Sequence, residues 1–213
     1  MFTIRTLLEG KWPILALAVL LAATWGWCPW RWAPLLPAAL LAFVLAFFRD
    51  PLRVIPPDPE GIVAPADGRV IEIATVNEPL YFQGNAKRVA IFMSVFNVHV
   101  QRAPVAGRIE MVRYSPGKFL DVRDPTASAV NENRFIGIAG ADGARYAVRQ
   151  VAGWIARRIV GWAGEGVRVE KGERIGMIRF GSRVELWLPM DAEIVVSTGQ
   201  PVKGGETIVA KRK

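Results

Sequence analysis

Residues 174–188 read RIGMIRFGSRVELWL, and this stretch decides the fold class. Two short apolar runs, 174–180 and 183–188, flank the pair Gly181-Ser182. In the second run apolar and polar residues alternate, which is the period of two expected for a half-buried β-strand. We therefore predict two strands joined at Gly181-Ser182, where the glycine permits backbone conformations that other residues resist.

Working outward, the chain from about residue 60 onward consists of short runs of Val, Ile and Phe separated by Gly, Pro, Asn and Asp. Such spacing predicts a mainly β fold, a compact β-sandwich or barrel-like hybrid domain over 60–213. Further strands are predicted at 68–74, 88–95, 107–114, 145–151, 177–180 and 192–197. Residues 150–159 fit a helix or a strand equally well, because β-branched residues are frequent there. The Pro-rich residues 51–59 predict a stiff linker that precedes the domain.

The N-terminal region is apolar in two runs, 12–27 and 32–48, each roughly 16–17 residues long. This length is at the short end of what spans a hydrocarbon core of about 30 Å. Tryptophans stand near the ends of the runs, as expected for membrane interfaces, at positions 12, 25, 27, 30 and 32. We predict a two-helix membrane anchor in residues 1–50. A re-entrant hairpin and a cleaved signal peptide are the alternatives, although no small-residue cleavage site separates the two runs.

The distribution of basic residues predicts the orientation of this hairpin. Arg5 and Lys11 precede it, Arg49 and Arg53 follow it, and Arg31 stands alone in the turn. Because cytoplasmic flanks carry an excess of Lys and Arg, both ends of the hairpin are expected in the cytoplasm. The globular domain would then lie on the cytoplasmic side of the cell membrane.

The composition of the chain limits the classes of function that it can have. Lys and Arg outnumber Asp and Glu by 27 to 19, a net charge of +8 that favours anionic partners such as nucleic acid, an acidic membrane face or a phosphate-bearing substrate. The single cysteine, Cys28, excludes an intrachain disulfide framework and a cysteine-based zinc site. The single histidine, His99, excludes a multi-histidine metal site, so no metal is predicted. A basic platform with interleaved aromatic residues is missing, so a nucleic acid partner is not expected.

Three further segments carry side chains capable of chemistry. Asp67 stands in a turn directly before a predicted strand, and His99 lies within an otherwise apolar run. The residues Asn131-Glu132-Asn133-Arg134 (the polar cluster 131–134) lead into another predicted strand. Each segment also has an ordinary structural interpretation: an Asp-Gly turn, a structural histidine and a solvated loop.

The ordered set of these segments carries a resemblance that none of them carries alone. The set comprises Pro65-Ala66-Asp67-Gly68, the His99 segment ending in Arg102-Ala103-Pro104-Val105-Ala106-Gly107, the polar cluster 131–134, and Lys171-Gly172-Glu173 with Gly176 to Ser182. In this order and spacing the chain resembles the phosphatidylserine decarboxylases, specifically the short prokaryotic form with an N-terminal membrane anchor. The resemblance extends from about Pro51 to the C-terminus.

The resemblance implies a proenzyme that cleaves itself between Gly181 and Ser182. The products would be a β chain of residues 1–181 and an α chain of residues 182–213. These two chains would form a heterodimer, and assembly of heterodimers into a higher oligomer is an open alternative. Ser182 would become a pyruvoyl group, so no external cofactor is implied. That group would form a Schiff base with phosphatidylserine and release CO₂ and phosphatidylethanolamine.

The base that activates Ser182 is where the chain departs from the family pattern. Long bacterial forms have two histidines three residues apart, and the second joins an Asp and the Ser in a triad. His99 matches the first histidine and Asp67 the Asp, but Arg102 stands at the second histidine. Either His99 takes the triad role beside Asp67 and Ser182, or the short form uses another arrangement. We expect His99 to contribute to both self-cleavage and decarboxylation.

Arginines are the candidate substrate-binding residues, because a guanidinium suits bidentate contacts with phosphate and carboxylate. The candidates are Arg102, Arg134 and Arg183, with Arg179 as a further possibility.

A non-enzymatic alternative is a membrane-tethered carrier or interaction module of lipoyl-like fold. A turn pattern at 169–175 recurs at 202–208, as in such domains, although a repeated turn without duplication explains it equally well. A carrier needs a modifiable lysine at an exposed hairpin tip, and Lys171 and Lys203 both lie in turns.

Overall fold

A computed structural model describes residues 2–27, 29–124, 126–154, 158–179 and 181–212. The chain forms two compact units, Met1–Leu52 and Arg53–Lys213. Cys28 and Phe180, which figure in the sequence analysis, lie outside the described residues.

Among the described residues of the first unit there are two helices, α1 (Ile4–Trp27) and α2 (Leu35–Phe47). At a rise of 1.5 Å per residue, α1 is about 36 Å long, which exceeds a hydrocarbon core of about 30 Å. By length and composition α1 is the described helix that qualifies as a membrane span, whereas the 13 residues of α2 are too few to cross alone. The two predicted helices are therefore present, and α1 begins eight residues before its apolar run.

The two helices run antiparallel and pack closely. The ring of Phe48, just after α2, lies against Gly10, where a Cβ would be only 2.6 Å from the ring. At the other end, Trp25 of α1 and Leu35 of α2 line one cavity. Gly10 therefore permits the close approach of the two segments.

The described part of the second unit forms fourteen strands and one short helix, α3 (Ala127–Val130). The strands are β1 (Gly61–Val63), β2 (Gly68–Glu78), β3 (Gly84–Met93), β4 (Val100–Arg102), β5 (Gly107–Ser115), β6 (Asn133–Gly140), β7 (Arg145–Ala152), β8 (Ile159–Gly161), β9 (Arg168–Val169), β10 (Arg174–Ile178), β11 (Ser182–Leu188), β12 (Glu193–Ile194), β13 (Pro201–Val202) and β14 (Ile208–Lys211). The mainly β prediction is confirmed. In the ambiguous region 150–159, the described residues at both ends are strand, and 155–157 lie outside the described residues.

Eight strands form one antiparallel sheet in the order β13-β2-β3-β11-β7-β6-β5-β9. Two three-stranded sheets accompany it, β1-β14-β12 and β4-β10-β8. Strand β11 is central: its first residue, Ser182, pairs with Met93 of β3 on one side and with Ala152 of β7 on the other. Residues 182–188 therefore supply the middle of the main sheet.

Strand β11 differs from the prediction in one respect, since all seven of its residues are buried rather than every second one. One face packs into the main core through Val184, Leu186 and Leu188. The other face is covered by a second apolar cluster around Trp187 and by a group of paired charges. The alternation predicts the strand correctly, but the polar face of β11 packs against other residues instead of facing water.

Residues 53–59, predicted as a linker, make specific contacts within the second unit. Ile55 packs on Gly172, where an added Cβ would lie 2.2 Å from Ile55 Cδ1. The φ of Gly172, +82°, is also one that residues with a Cβ rarely adopt. Arg53 forms an ion pair with Asp67 at 2.9 Å. This segment is thereby fixed to the β domain along part of its length.

Candidate active site

Gly181 forms the bend between β10 and β11. Its φ of +61° lies in the left-handed region, which strains residues that carry a Cβ. Space is not the reason for glycine here, because an added Cβ would meet nothing within 4 Å. The sequence therefore needs glycine at this position for its backbone conformation alone.

Ser182 begins β11 and is fully buried. Its hydroxyl donates to the sulfur of Met93 at 3.4 Å. A thioether is a weak acceptor, so little is lost when the hydroxyl turns toward another group. The serine is thus held by its strand while its side chain stays easy to reorient.

The carbonyl of Gly181 lies against a second glycine, Gly153, which follows β7. A Cβ on Gly153 would be 2.5 Å from the Gly181 carbonyl oxygen and 3.1 Å from Val122 Cγ1. Real Cβ atoms essentially never come within 3.0 Å of another heavy atom, so the carbonyl position depends on Gly153 having no side chain. Sequence reasoning missed this residue, because a glycine after a strand is an ordinary strand end.

A cavity of about 390 Å³ opens beside the Gly181-Ser182 bond. Its wall is mostly apolar, with one carboxylate and one guanidinium, and the lining residues are Phe92, Met93, Ser94, Val95, Asp121, Val122, Arg123, Gly153, Trp154 and Gly181. This size is at the lower end of small-molecule sites, which are typically about 300–1,000 Å³.

His99 is fully buried just before β4. Its Nδ1 lies 2.9 Å from the carbonyl oxygen of Asn97. A carbonyl oxygen only accepts, so Nδ1 carries the proton in the neutral ring and Nε2 is the basic nitrogen. The backbone therefore selects the tautomer in which Nε2 can accept a proton.

Buried amides link the His99 segment to Ser182. The Gln101 amide nitrogen donates to the His99 carbonyl oxygen at 2.8 Å and reaches the Met93 sulfur at 3.6 Å. That sulfur also accepts the Ser182 hydroxyl. Gln150 in turn donates to Gln101 Oε1 at 2.8 Å. The structure thus brings the backbone of His99 and the side chain of Ser182 to one polar cluster.

Asp67 has other partners. Arg53 Nη2 donates to both carboxylate oxygens at 2.9 Å, and the backbone N–H of Gly204 donates to Oδ1 at 2.8 Å. These contacts tie residue 67 to the segment before β1 and to the turn after β13. None of these contacts joins Asp67 to His99 or Ser182.

Arg183 points to the face of β11 opposite Ser182, because side chains alternate along a strand. Its Nε donates to Glu185 at 2.8 Å and its Nη2 to Glu72 at 2.7 Å, with Arg88 paired to the same Glu72. Burial raises the pKa of Glu72, but the hydrogen bonds from Arg88 and Arg183 outweigh it, so the pKa lies below its usual value of 4.5. The guanidinium of Arg183 is engaged in this cluster of charges.

The other two candidate arginines are also buried and donate to protein groups. Arg134 Nη1 donates to Gln150 Oε1 at 3.3 Å and Nη2 donates to the carbonyl of Ala163, while burial lowers the pKa of Arg134. Arg102 Nη1 donates to the Gly172 carbonyl at 3.0 Å. Of the described residues that line the cavity, Arg123 is the cation.

Asn131, the first residue of the polar cluster 131–134, joins two segments beside the cavity. Asn131 accepts from the Leu120 N–H at 3.0 Å and donates to the carbonyls of Leu120 and Ala152, each at 2.9 Å. One side chain thereby joins the loop around residue 120 to the end of β7. The segment 131–134, predicted as a solvated loop or a functional motif, is therefore largely buried, and its Asn131 fixes the loop next to the cavity.

The wall also carries a surface ion pair. Arg123 Nε donates to both oxygens of Asp121, and the side-chain hydrogen bonds of Arg123 lower the pKa of Asp121 to about 2. Among the described residues, no three His, Cys, Asp or Glu side chains converge as a metal site would require.

Comparison with known proteins identifies the family to which the chain belongs. Residues 40–210 match the family model described as phosphatidylserine decarboxylase. The chain is 45% identical over 203 residues to a phosphatidylserine decarboxylase proenzyme of Symbiobacterium thermophilum, covering 95% of this chain and 94% of that one. It is 44% identical over 206 residues to the proenzyme of Carboxydothermus hydrogenoformans, covering 96% and 95%, and 41% identical over 211 residues to that of Burkholderia vietnamiensis, covering 95% and 94%. The chain therefore belongs to the phosphatidylserine decarboxylase family.

Proposed function

We propose that this chain is the proenzyme of a membrane-anchored phosphatidylserine decarboxylase that cleaves its own Gly181–Ser182 bond. The observation that carries the proposal is the Gly181-Ser182 bend itself. Gly181, whose backbone is in the left-handed conformation, precedes the buried Ser182 at the start of the central strand β11, and a cavity opens beside the Gly181–Ser182 bond. Family membership supports the reaction, since the relatives are named decarboxylase proenzymes.

Self-cleavage begins with the attack of Ser182 Oγ on the Gly181 carbonyl carbon. The hydroxyl proton passes to a base, the C–N bond breaks, and the amide nitrogen takes a proton, which leaves an ester. Removal of the Cα proton of residue 182 then breaks the Cβ–O bond and releases Gly181 as a carboxylate. Hydrolysis of the resulting enamine releases ammonia and leaves a pyruvoyl group. An activated nucleophile and an accessible acyl carbon are what this sequence needs.

His99 is proposed as the base. The hydrogen bond from Nδ1 to Asn97 supports this role, because it leaves Nε2 as the nitrogen that takes a proton. Asp67, predicted as a catalytic residue, is instead proposed to hold the segments that surround it. Its contacts with Arg53 and Gly204 support a role in holding its surroundings rather than in proton transfer.

The residues around position 182 fit a pyruvoyl group formed there. Strand β11 is bonded along its length to β3 and β7, so residue 182 would stay at the cavity after the chain is cut. The same pairing would hold the α chain, residues 182–213, to the β chain, residues 1–181, as a heterodimer. The pyruvoyl group would supply a ketone that condenses with the substrate amine and accepts the electron pair left when CO₂ departs.

Substrate recognition is proposed at the cavity wall. Arg123 lines the cavity and is largely exposed, so its guanidinium can meet an anionic headgroup by exchanging the Asp121 carboxylate for a phosphate. Arg102, Arg134 and Arg183 are proposed to act indirectly, since their described contacts go to protein groups. Helix α1 would keep the enzyme on the membrane. The basic residues that precede and follow the whole α1–α2 hairpin favour a cytoplasmic position for the β domain.

The carrier alternative finds little support. The Lys171 ammonium donates to the backbone carbonyls of Asp58 and Gly61, so it is not displayed at a hairpin tip for modification. Lys203 is 70% exposed but lies beside Glu206, and no other feature marks it.

The test is release of labelled CO₂ from phosphatidylserine carrying the label in the serine carboxyl group. We expect the purified full-length protein in detergent to release CO₂ and form phosphatidylethanolamine, and the Ser182→Ala variant to release none. Protein that has been cut in two but releases no CO₂ would refute the proposed reaction. Release by Ser182→Ala would refute the role of Ser182.

A further inference from the structure

Three loops meet at the end of the main sheet where the cavity opens. Strands β3 and β7 both end there, at Met93 and Ala152, on either side of Ser182. The turn 94–97 follows β3, and Trp154 stands two residues after β7. The loop around Leu120 is fastened to the same strand end through Asn131.

Each loop directs a large apolar side chain to the outside. Phe96 is 73% exposed, Trp154 is 75% exposed and Leu120 is 37% exposed. We call these three residues the apolar rim. Single exposed apolar residues need no explanation, but three on separate loops around one cavity mark a binding surface. The turn that holds Phe96 is well fixed, because Asn97 Oδ1 accepts from both the N–H and the hydroxyl of Ser94.

We propose that the apolar rim inserts into the surface of an anionic phospholipid bilayer and thereby places the cavity mouth against the lipid headgroups. This inference rests on the proposed function. The cavity, at about 390 Å³, has room for a headgroup but not for a whole diacyl lipid, so the acyl chains must leave through the mouth. Apolar side chains around the mouth would hold it at the bilayer surface, so that those chains stay in the lipid.

A bilayer fits this surface better than a protein partner does. A protein seated on the rim would cover the cavity mouth and block the substrate. An exposed tryptophan and phenylalanine are side chains that favour the membrane interface, and the net charge of +8 favours an anionic surface. The rim therefore acts in addition to α1: the helix holds the protein at the membrane, and the rim orients the cavity.

The first test compares two substrates. Full-length protein is reconstituted in vesicles and assayed with long-chain phosphatidylserine in the same bilayer, and separately with dissolved dihexanoyl phosphatidylserine. We expect Phe96→Ser and Leu120→Ser to lower kcat/KM on the bilayer substrate by about tenfold, because each removes an inserted apolar side chain. Both variants should keep wild-type kcat/KM on the dissolved substrate, since neither residue lines the cavity.

Leu80 provides the matched control. It is 47% exposed and lies in the turn at the opposite end of the β2–β3 hairpin, so Leu80→Ser should alter neither activity. Equal activity of the rim variants and the wild type on both substrates would overturn the inference. Failure of the wild type on both substrates would instead refute the proposed function.

A second measurement does not depend on activity. Cys28 is replaced by Ser, a single cysteine is introduced as Phe96→Cys or Leu80→Cys, and each is labelled with an environment-sensitive fluorophore. We expect lipids carrying a shallow nitroxide to quench the label at position 96 and to leave the label at position 80 unchanged. Equal quenching at the two positions would overturn the inference even if the kinetic variants were unstable.

Discussion

The most informative perturbation is Gly153→Ala, which changes a neighbour of the bond to be cut and leaves the reacting residues, Gly181 and Ser182, unsubstituted. The added methyl would be 2.5 Å from the Gly181 carbonyl oxygen, so that oxygen or the end of β7 must move by at least about half an ångström to relieve the clash, and by nearly an ångström to reach an ordinary contact. The Val122 side chain, 3.1 Å from the same methyl, limits movement in the other direction. The attack of Ser182 Oγ therefore meets a displaced carbonyl.

The size of the effect follows from the cost of overpacking. An extra methyl in a well-packed region typically costs about 1–3 kcal/mol. If this cost falls on the geometry of attack, and each 1.36 kcal/mol is about tenfold in rate, self-cleavage should slow by about 5- to 150-fold. Folding should be retained, because the change lies at the end of a strand and not within its ladder.

The assay follows conversion of the precursor into two chains on denaturing gels, with and without hydroxylamine. Hydroxylamine cleaves esters but not peptide bonds, so it reports how much precursor has reached the ester. We expect Gly153→Ala to remain largely uncut under both conditions. The control is Gly164→Ala, since an added Cβ at Gly164 meets nothing within 4 Å.

Two results would refute this reasoning. Wild-type cleavage of Gly153→Ala would mean that the carbonyl position does not depend on residue 153. Slow cleavage that hydroxylamine restores would mean that the methyl impairs elimination rather than the attack on the carbonyl.

Further predictions concern individual side chains. Ser182→Ala should remain a single chain, seen on a denaturing gel, and any cut at position 181 would contradict the role of the serine. His99→Ala should slow both cleavage and CO₂ release by about 100-fold, the usual contribution of a general base, and normal rates of both would remove His99 from the mechanism. Asp67→Asn should lower the free energy of unfolding by about 1–3 kcal/mol in denaturant titrations, because Arg53 loses the nearer of its two carboxylate partners, while the folded fraction is still cut. A folded but uncut Asp67→Asn would instead place Asp67 in proton transfer. Because the pKa of Glu72 is lowered in the folded state, its contribution to stability is present above pH 4.5 and lost as pH falls through the lower folded pKa. Glu72→Gln should therefore have a lower Tm than the wild type at pH 7, with the difference vanishing in acid; a difference that grows in acid would contradict the lowered pKa.

The fold was predictable from local patterns because strands leave a clear signal. The alternation in 183–188 and the break at Gly181-Ser182 identified β10 and β11 within two residues of their observed ends. What the pattern could not reveal was the central position of β11. Polar residues such as Glu185 predict a solvated face, whereas Glu185 is fully buried and paired with Arg183. The alternation of residues along a strand is the same whether its charged residues face water or are buried in ion pairs, so the sequence pattern does not distinguish the two.

The site was predictable only in part, for a similar reason. Gly181 and Ser182 were identified through the resemblance of the ordered motifs to the family, and His99 through the same resemblance and as the single histidine of the chain. Gly153 and Asn131 act through close backbone approach and through clamping of a loop, which depend on neighbours distant in the chain. No local pattern distinguishes such residues from ordinary strand ends and turns.

The most direct test of self-cleavage is the intact mass of the purified protein. We expect two chains, residues 1–181 and residues 182–213, with the second lighter by one ammonia than a peptide beginning with serine. A terminal pyruvoyl group would also block Edman degradation of that chain. A single uncut chain in a preparation that releases CO₂ from phosphatidylserine would contradict the proposed origin of the catalytic group.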